Sequence, residues 1–224
     1  MRFLLACLAA ACFPTAMLGA FKAEAAEVLP ACAVAGQTFT YDIVRGGNVI
    51  GRQTVRFSGV APDMTVSIDM TASLSVLGVK VYRYEHHGEE HWRNGALASL
   101  VTRTDDDGTP RHVNVARDSQ TGTWTGTHGV DPGAATLIPT SLWNNRTVTQ
   151  ARLLDRETGE VVLVKVSAEG DEAVHIGSRD VVARKFDLAG LVHGTVWYDA
   201  AGCWARALFH TRVDGSLVEI RLLK

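Results

Sequence analysis

The sequence predicts an all-β domain, one long antiparallel meander curled into a barrel or half-barrel. Three observations lead there. Met64, Val66, Ile68, Met70, Ala72, Leu74 and Val76 alternate with Thr65, Ser67, Asp69, Thr71, Ser73 and Ser75. That is a period of two held over thirteen residues, with one apolar face and one polar face. Turn pairs such as Gly46-Gly47, Asn94-Gly95, Asp107-Gly108 and Asp214-Gly215 recur between runs of this kind and mark hairpins. No helical period longer than two or three turns follows the N-terminal segment.

The N-terminus reads as an export signal over residues 1–25. Arg2 precedes an apolar run from Phe3 to Phe21, and Ala23-Glu24-Ala25 fits a small-x-small cleavage site. Leu18-Gly19-Ala20 is a second candidate site. The expectation is a periplasmic protein cleaved near Ala25, with an N-terminal arm over 26–38 and a single β domain over 39–224. No later stretch reaches the ~18 apolar residues of a membrane helix. Lys and Arg total 22 against 24 for Asp and Glu, with no basic run, so nothing attracts nucleic acid. Cys32 and Cys203 both lie beyond the cleavage site, and two thiols in an oxidising compartment point to a disulfide. The alternative is that Cys203 is simply buried beside Trp204.

The strands follow in order. Phe39–Arg45 and Val49–Phe57 flank Gly46-Gly47-Asn48. Met64–Val76, Val79–Arg93 and Ala96–Thr104 are joined by Leu77-Gly78 and Asn94-Gly95. Arg111–Arg117 and Gln120–His128 come next, the second carrying Trp124. Residues 129–145 break the alternation, with Asp131-Pro132-Gly133 and Pro139-Thr140-Ser141. Thr140 or Ser141 caps a short helix starting at Leu142, which gives a helix or irregular lid near 136–148. Long irregular segments in regular sheets often carry function. Ala151–Asp155, Glu160–Val166, Glu172–Ile176, Val181–Leu188, Thr195–Asp199, Cys203–Arg212 and Ser216–Leu223 complete the meander. A dozen sequential strands do not stay flat; they curl or split into two layers.

Several stretches resemble one family. They are Tyr41-Asp42-Ile43-Val44-Arg45-Gly46-Gly47-Asn48-Val49-Ile50-Gly51, Leu77-Gly78-Val79-Lys80-Val81-Tyr82-Arg83-Tyr84, Trp92-Arg93-Asn94-Gly95, Pro139-Thr140-Ser141-Leu142-Trp143-Asn144, Leu154-Asp155-Arg156-Glu157-Thr158-Gly159-Glu160 and Trp197-Tyr198-Asp199. Together they look like an uncharacterised proteobacterial family of exported domains of unknown function. The resemblance covers nearly all of the chain after the signal and implies a fold rather than a reaction. In architecture the chain is also distantly similar to the half-barrels of periplasmic lipoprotein carriers. Neither likeness supplies catalytic residues.

The most chemical-looking run is Glu85-His86-His87-Gly88-Glu89-Glu90-His91. His87, Glu90 and His91 spell H-x-x-E-H, a zinc-peptidase motif that requires a helix. On a strand His87 and His91 share a face but stand about 13 Å apart, and Glu90 points the other way. The run therefore reads as a solvated strand face, with no metal and no cofactor. Ser141 lacks a G-x-S-x-G setting, and the twelfth position from Asp105 is Ala116 rather than Glu, so neither a hydrolase nor a calcium loop is indicated.

His86 and Glu90 share a face with Tyr82, Tyr84 and Trp92. If that face is concave, Tyr82, Tyr84, His86 and Trp92, with Trp143 from the long break, line a ligand site for a lipid or another apolar or amphipathic molecule. The bland reading of the same residues is an ordinary core, with Trp143 as a plug. The leading expectation is thus a non-enzymatic periplasmic binding or carrier domain. Its rivals are a structural or interaction protein of the cell envelope with a filled core and a protein partner, and an envelope metal-dependent hydrolase. A transmembrane barrel is disfavoured, because His86 and Glu90 would then face lipid.

Overall fold

The computed structural model describes residues 28–128, 136–190, 193–211 and 214–223. The export segment expected over residues 1–25 lies outside them, as does 129–135 of the long break. The described residues form thirteen strands. They are β1 Thr38–Arg45, β2 Asn48–Val60, β3 Asp63–Val76, β4 Val79–Arg93, β5 Ala96–Asp106, β6 Thr109–Arg117 and β7 Trp124–Gly126. After the long break come β8 Arg152–Leu154, β9 Val161–Ile176, β10 Arg179–Gly190, β11 Gly194–Asp199, β12 Trp204–His210 and β13 Leu217–Leu222.

All pair antiparallel in one sheet of order β7-β6-β5-β4-β3-β2-β1-β13-β12-β11-β10-β9-β8. The chain starts in the middle, walks outward to β7, crosses to the opposite edge at β8, and walks back until β13 seats beside β1. Each half is a simple meander because its turns are hairpin turns. Leu77-Gly78, Asn94-Gly95 and Asp107-Gly108 all place both residues at positive φ, as a type I′ turn requires.

Alternation puts one side of every long strand inward. The register lines up Phe57, Val66, Glu90, Leu100 and Val115 across five strands, and Gln53, Met70, His86, Thr104 and Arg111 in a parallel row. Met64, Val66 and Ile68 are buried as their spacing predicts, with Met70 and Leu74 half-buried toward the rim. Two strands approach closely where a side chain is missing. At Gly51 an added Cβ would lie 2.1 Å from the Thr71 carbonyl oxygen, so only glycine lets β2 and β3 close up there.

The long break does not cover the end of the sheet from outside. Leu137, Ile138, Ser141, Leu142, Trp143, Asn144 and Thr147 are buried within the bowl. Backbone bonds hold the segment along β8, with Leu154 N–H donating to Ile138 O at 2.9 Å and Thr140 N–H to Leu154 O at 2.9 Å. On the other wall the Tyr198 hydroxyl donates to Leu142 O at 2.7 Å.

Three local expectations need correction. Leu142 has φ +68°, so no helix starts there; a short 3-10 helix spans Asn145–Thr149, capped by Asn144, whose side chain accepts from Arg146 N–H. Glu160–Val166 and Glu172–Ile176 are one continuous strand, β9. The turn-like Ser-Ala-Glu-Gly-Asp between them is carried through by pairing with β10, at the cost of a bulge opposite Lys185 and Phe186. Gln120–His128 is strand only over Trp124–Gly126, because Asp118 turns the preceding residues by accepting from Gln120 and Thr121 N–H.

The two halves meet twice. On one side β1 and β13 form a ladder, Tyr41 stacks on Trp204 at 4.2 Å, and the Cys32–Cys203 disulfide ties the N-terminal arm to the β11–β12 turn. The bridged alternative is therefore the one the structure has, with Cα atoms 5.8 Å apart. On the other side no ladder closes the sheet. The β8–β9 turn instead enters the concave face of β4–β6. Tyr84 Oη donates to Glu157 at 2.6 Å, Arg111 to Glu157 at 3.3 Å, and Thr102 Oγ1 to Arg156 O at 2.7 Å. Gly159 packs on Val113.

Two predictions follow from these closures. The disulfide spans 171 residues, so replacing both cysteines by serine lowers the denaturant-derived stability by about 2–5 kcal/mol. Glu157→Ala removes a part-exposed clasp and costs about 1–2 kcal/mol. Hydrogen exchange then accelerates in residues 152–160 while the β1–β3 amides stay protected.

Candidate functional site

The site is built on β4. Its alternation turns Tyr82, Tyr84, His86, Gly88, Glu90 and Trp92 inward and leaves Arg83, Glu85, His87, Glu89 and His91 outside. His86 and Glu90 are both 0% exposed. Gly88 between them has no side chain, and the imidazole uses the room. A Cβ there would lie 3.2 Å from His86 Nε2 and 3.4 Å from Thr102 Cγ2.

Glu90 is where the sheet and the crossing segment join. Its Oε2 accepts from Trp92 Nε1 at 2.9 Å and from Trp143 Nε1 at 2.8 Å. The two indoles meet edge to face at 5.2 Å, and Trp143 meets Phe57 in the same way at 5.2 Å. One carboxyl oxygen thus sets the orientation of two large rings, one from β4 and one from the segment that fills the bowl. Ser141 stands close enough to favour the charged carboxylate, while its Oγ stays outside hydrogen-bond geometry. Among the described residues, Glu90 Oε1 and His86 Nε2 have no hydrogen-bond partner.

Burial governs the protonation of this pair. It raises the Glu90 pKa, against Ser141, the two indoles and Arg156, which favour the charged form. It pushes His86 down to about 2, helped by Arg156 and His87, so the ring is neutral. His86 Nδ1 is 2.8 Å from Thr104 Oγ1. A neutral imidazole or a carboxyl with a raised pKa has acid–base character in an open cleft. Here both groups sit beneath packed side chains, and their chemistry is that of orienting neighbours.

The five aromatic or imidazole residues expected to line one ligand site fall into three places. Trp92 and Trp143 meet deep in the bowl. Tyr84 and His86 lie nearly parallel farther along β4, 6.4 Å apart. Tyr82 is half-buried at the rim, its hydroxyl donating to Asp106 at 2.8 Å. Arg156 and Glu157 complete the polar lining, and no sequence pattern marks them, since they lie in a turn whose landing place is set by the fold.

The H-x-x-E-H residues are split by the strand. His87 pairs with Asp69 at 2.7 Å and His91 with Glu89 at 2.8 Å on the outer face, while Glu90 points inward. Two open grooves mark the surface, one of about 460 Å³ beside Met64, His91 and Arg117, the other of about 310 Å³ beside Ile50, Ala72 and Tyr84. Neither is lined by Glu90 or His86.

Comparison with known proteins agrees with the fold. A model of the domain of unknown function DUF6134 matches residues 41–223. Among solved structures, a beta-barrel-like protein of the domain of unknown function DUF1849 from Brucella abortus is similar, with a TM-score of 0.63 and 12% identity. The match covers 89% of this chain and 98% of that one. At this identity the likeness is one of fold. No curated protein matches.

The raised Glu90 pKa gives a signed prediction. The folded state holds this proton more tightly than the unfolded chain does, so the contribution is full below the unfolded pKa and is lost as pH rises through the folded one. Glu90→Gln keeps an acceptor for the indoles without the charge. Its stability relative to the parent protein is expected to rise as pH increases above the ordinary carboxylate range. Comparing the two proteins at each pH cancels the opposing contribution of His86. Parallel pH profiles of the two unfolding free energies would contradict the assignment.

Proposed function

We propose a function for this chain, which belongs to the family of the domain of unknown function DUF6134, from the way its interior is occupied. It is a non-enzymatic exported protein of the cell envelope whose bowl is filled by its own crossing segment and which works through its outer surface, as a structural or interaction module. The observation that carries this is Trp143. It lies 2% exposed where a carried ligand would sit, hydrogen-bonded to Glu90 and wedged between Trp92 and Phe57. Leu137, Ile138 and Leu142 fill the space around it.

Export is supported by the N-terminal charge-then-apolar pattern with Ala23-Glu24-Ala25, and by a disulfide that an oxidising compartment maintains. The carrier reading keeps one favourable observation. Ile50, Met70, Tyr82 and Val218 form a partly buried apolar patch around Ile43, Ala72 and Tyr84, where a chain could rest without entering the bowl. The hydrolase reading gains nothing, since His86 and Glu90 are sealed from solvent and His87 and His91 are engaged with Asp69 and Glu89.

Fluorescent fatty-acid titration separates these readings. The delipidated parent protein is expected to show no saturable one-to-one uptake. Trp143→Ala leaves a cavity, costs about 3–5 kcal/mol and gains uptake. Stoichiometric binding by the parent protein that Trp143→Ala leaves unchanged would restore the carrier.

A further inference from the structure

Three hairpin tips of this sheet share one backbone geometry and differ in one residue. Leu77-Gly78, Asn94-Gly95 and Asp107-Gly108 each hold the first residue at φ +51° and the glycine between +75° and +85°. Asn and Asp suit that left-handed position, because a short polar side chain bonds the local backbone. Asp107 is also tied to the neighbouring strand, its Oδ1 accepting from Arg83 N–H of β4. Leucine is strained there and has no such bond. Nor does burial offset the strain, since Leu77 is 99% exposed. Folding alone would favour Asn at this position.

The surroundings of Leu77 repeat the pattern. Val79 is 65% and Val81 is 52% exposed. The ladder from β2 ends at Gly51 and Ala72, and that from β5 ends at Asp106 and Tyr84. Residues 73–82 therefore project past the sheet as a lone two-stranded ribbon, a form that is marginal in water. A bulge helps to expose the apolar side chains, since pairing passes from Leu74–Tyr82 to Ser75–Lys80 and skips Val81. Residues 73–83 contain no carboxylate, and their two charges, Lys80 and Arg83, are both positive.

We propose that the Leu77 tip of the β3–β4 hairpin inserts into the surface of a lipid bilayer carrying anionic headgroups. A narrow convex tip is too small for the roughly 1,200 Å² of a stable protein interface, whereas a fluid bilayer needs no complementary shape. Interfacial apolar groups sink about 5–10 Å, which admits Leu77 and Val79. Lys80, two residues beyond Gly78 in the sequence, brings the positive charge that anionic headgroups attract. Arg83 also pairs with Glu85 at 2.6 Å. The acidic turn Asp105–Asp107 is level with Arg83, roughly 16 Å behind the tip at ~3.3 Å per residue, and stays outside the bilayer.

This inference deepens the envelope reading by naming what the outer surface meets, and it rests on that reading. The test is co-sedimentation of the purified exported chain with phosphatidylglycerol-rich vesicles and with phosphatidylcholine vesicles, at low and high salt. The chain is expected to partition onto the anionic vesicles and to be released by salt. Leu77→Asn should weaken partitioning at least tenfold while its unfolding midpoint stays level or rises, which a merely structural role would not produce. Failure of the chain to sediment with anionic vesicles, or equal partitioning of Leu77→Asn, overturns the proposal. So does Leu77-dependent self-association without vesicles, which would make a second copy the partner. None of these outcomes touches the filled interior, which soluble fatty-acid uptake reads independently.

Discussion

Glu90 and the two indole N–H groups it accepts hold the rest of the arrangement in place. An indole buried without an acceptor loses about 1–3 kcal/mol, so an apolar residue at position 90 would strand two donors at once. With the carboxyl present, Trp143 has one favourable orientation, and the segment from Leu137 to Thr147 is seated by it. The crossing segment is thus a part of the core that happens to lack regular structure. Its remaining backbone needs are met by Leu154 and Tyr198 from opposite walls.

The asymmetry of closure has the same origin. A sheet of this length closes by pairing its edges or by filling what lies between them. Here β1 and β13 pair in the middle of the order, and the free edges β7 and β8 are short. Residues 137–147 lie in the interior ahead of β8, and the β8–β9 turn arrives on the concave face of β4–β6 rather than beside β6. Side-chain bonds from Glu157 and the Arg156 carbonyl do there what a ladder would have done. The edges stay short and partly covered, which limits strand-to-strand association between molecules.

This view ties the fold to the proposed function. A protein that fills its own bowl has little room for a carried ligand, and its distinctive features then lie outside. The most unusual of them is an apolar residue in a turn built for a polar one.

How far the sequence alone reaches depends on the range of the interaction. Period-two alternation and type I′ turn pairs are local, set by pleat geometry and by which residues tolerate positive φ, so the strands, their hairpins and the inward face of β4 are legible from residues 39–117. The split of His87 and His91 from Glu90 follows from the same local rule. The tertiary structure alone decided that β13 returns to β1, that Cys32 meets Cys203, and that Trp143 lands on Glu90. Those contacts join residues 53 to 181 positions apart, and their partners are chosen by burial and by the pairing of polar groups within a common interior. No local pattern records such a choice, and the chain makes it only when the sheet curls.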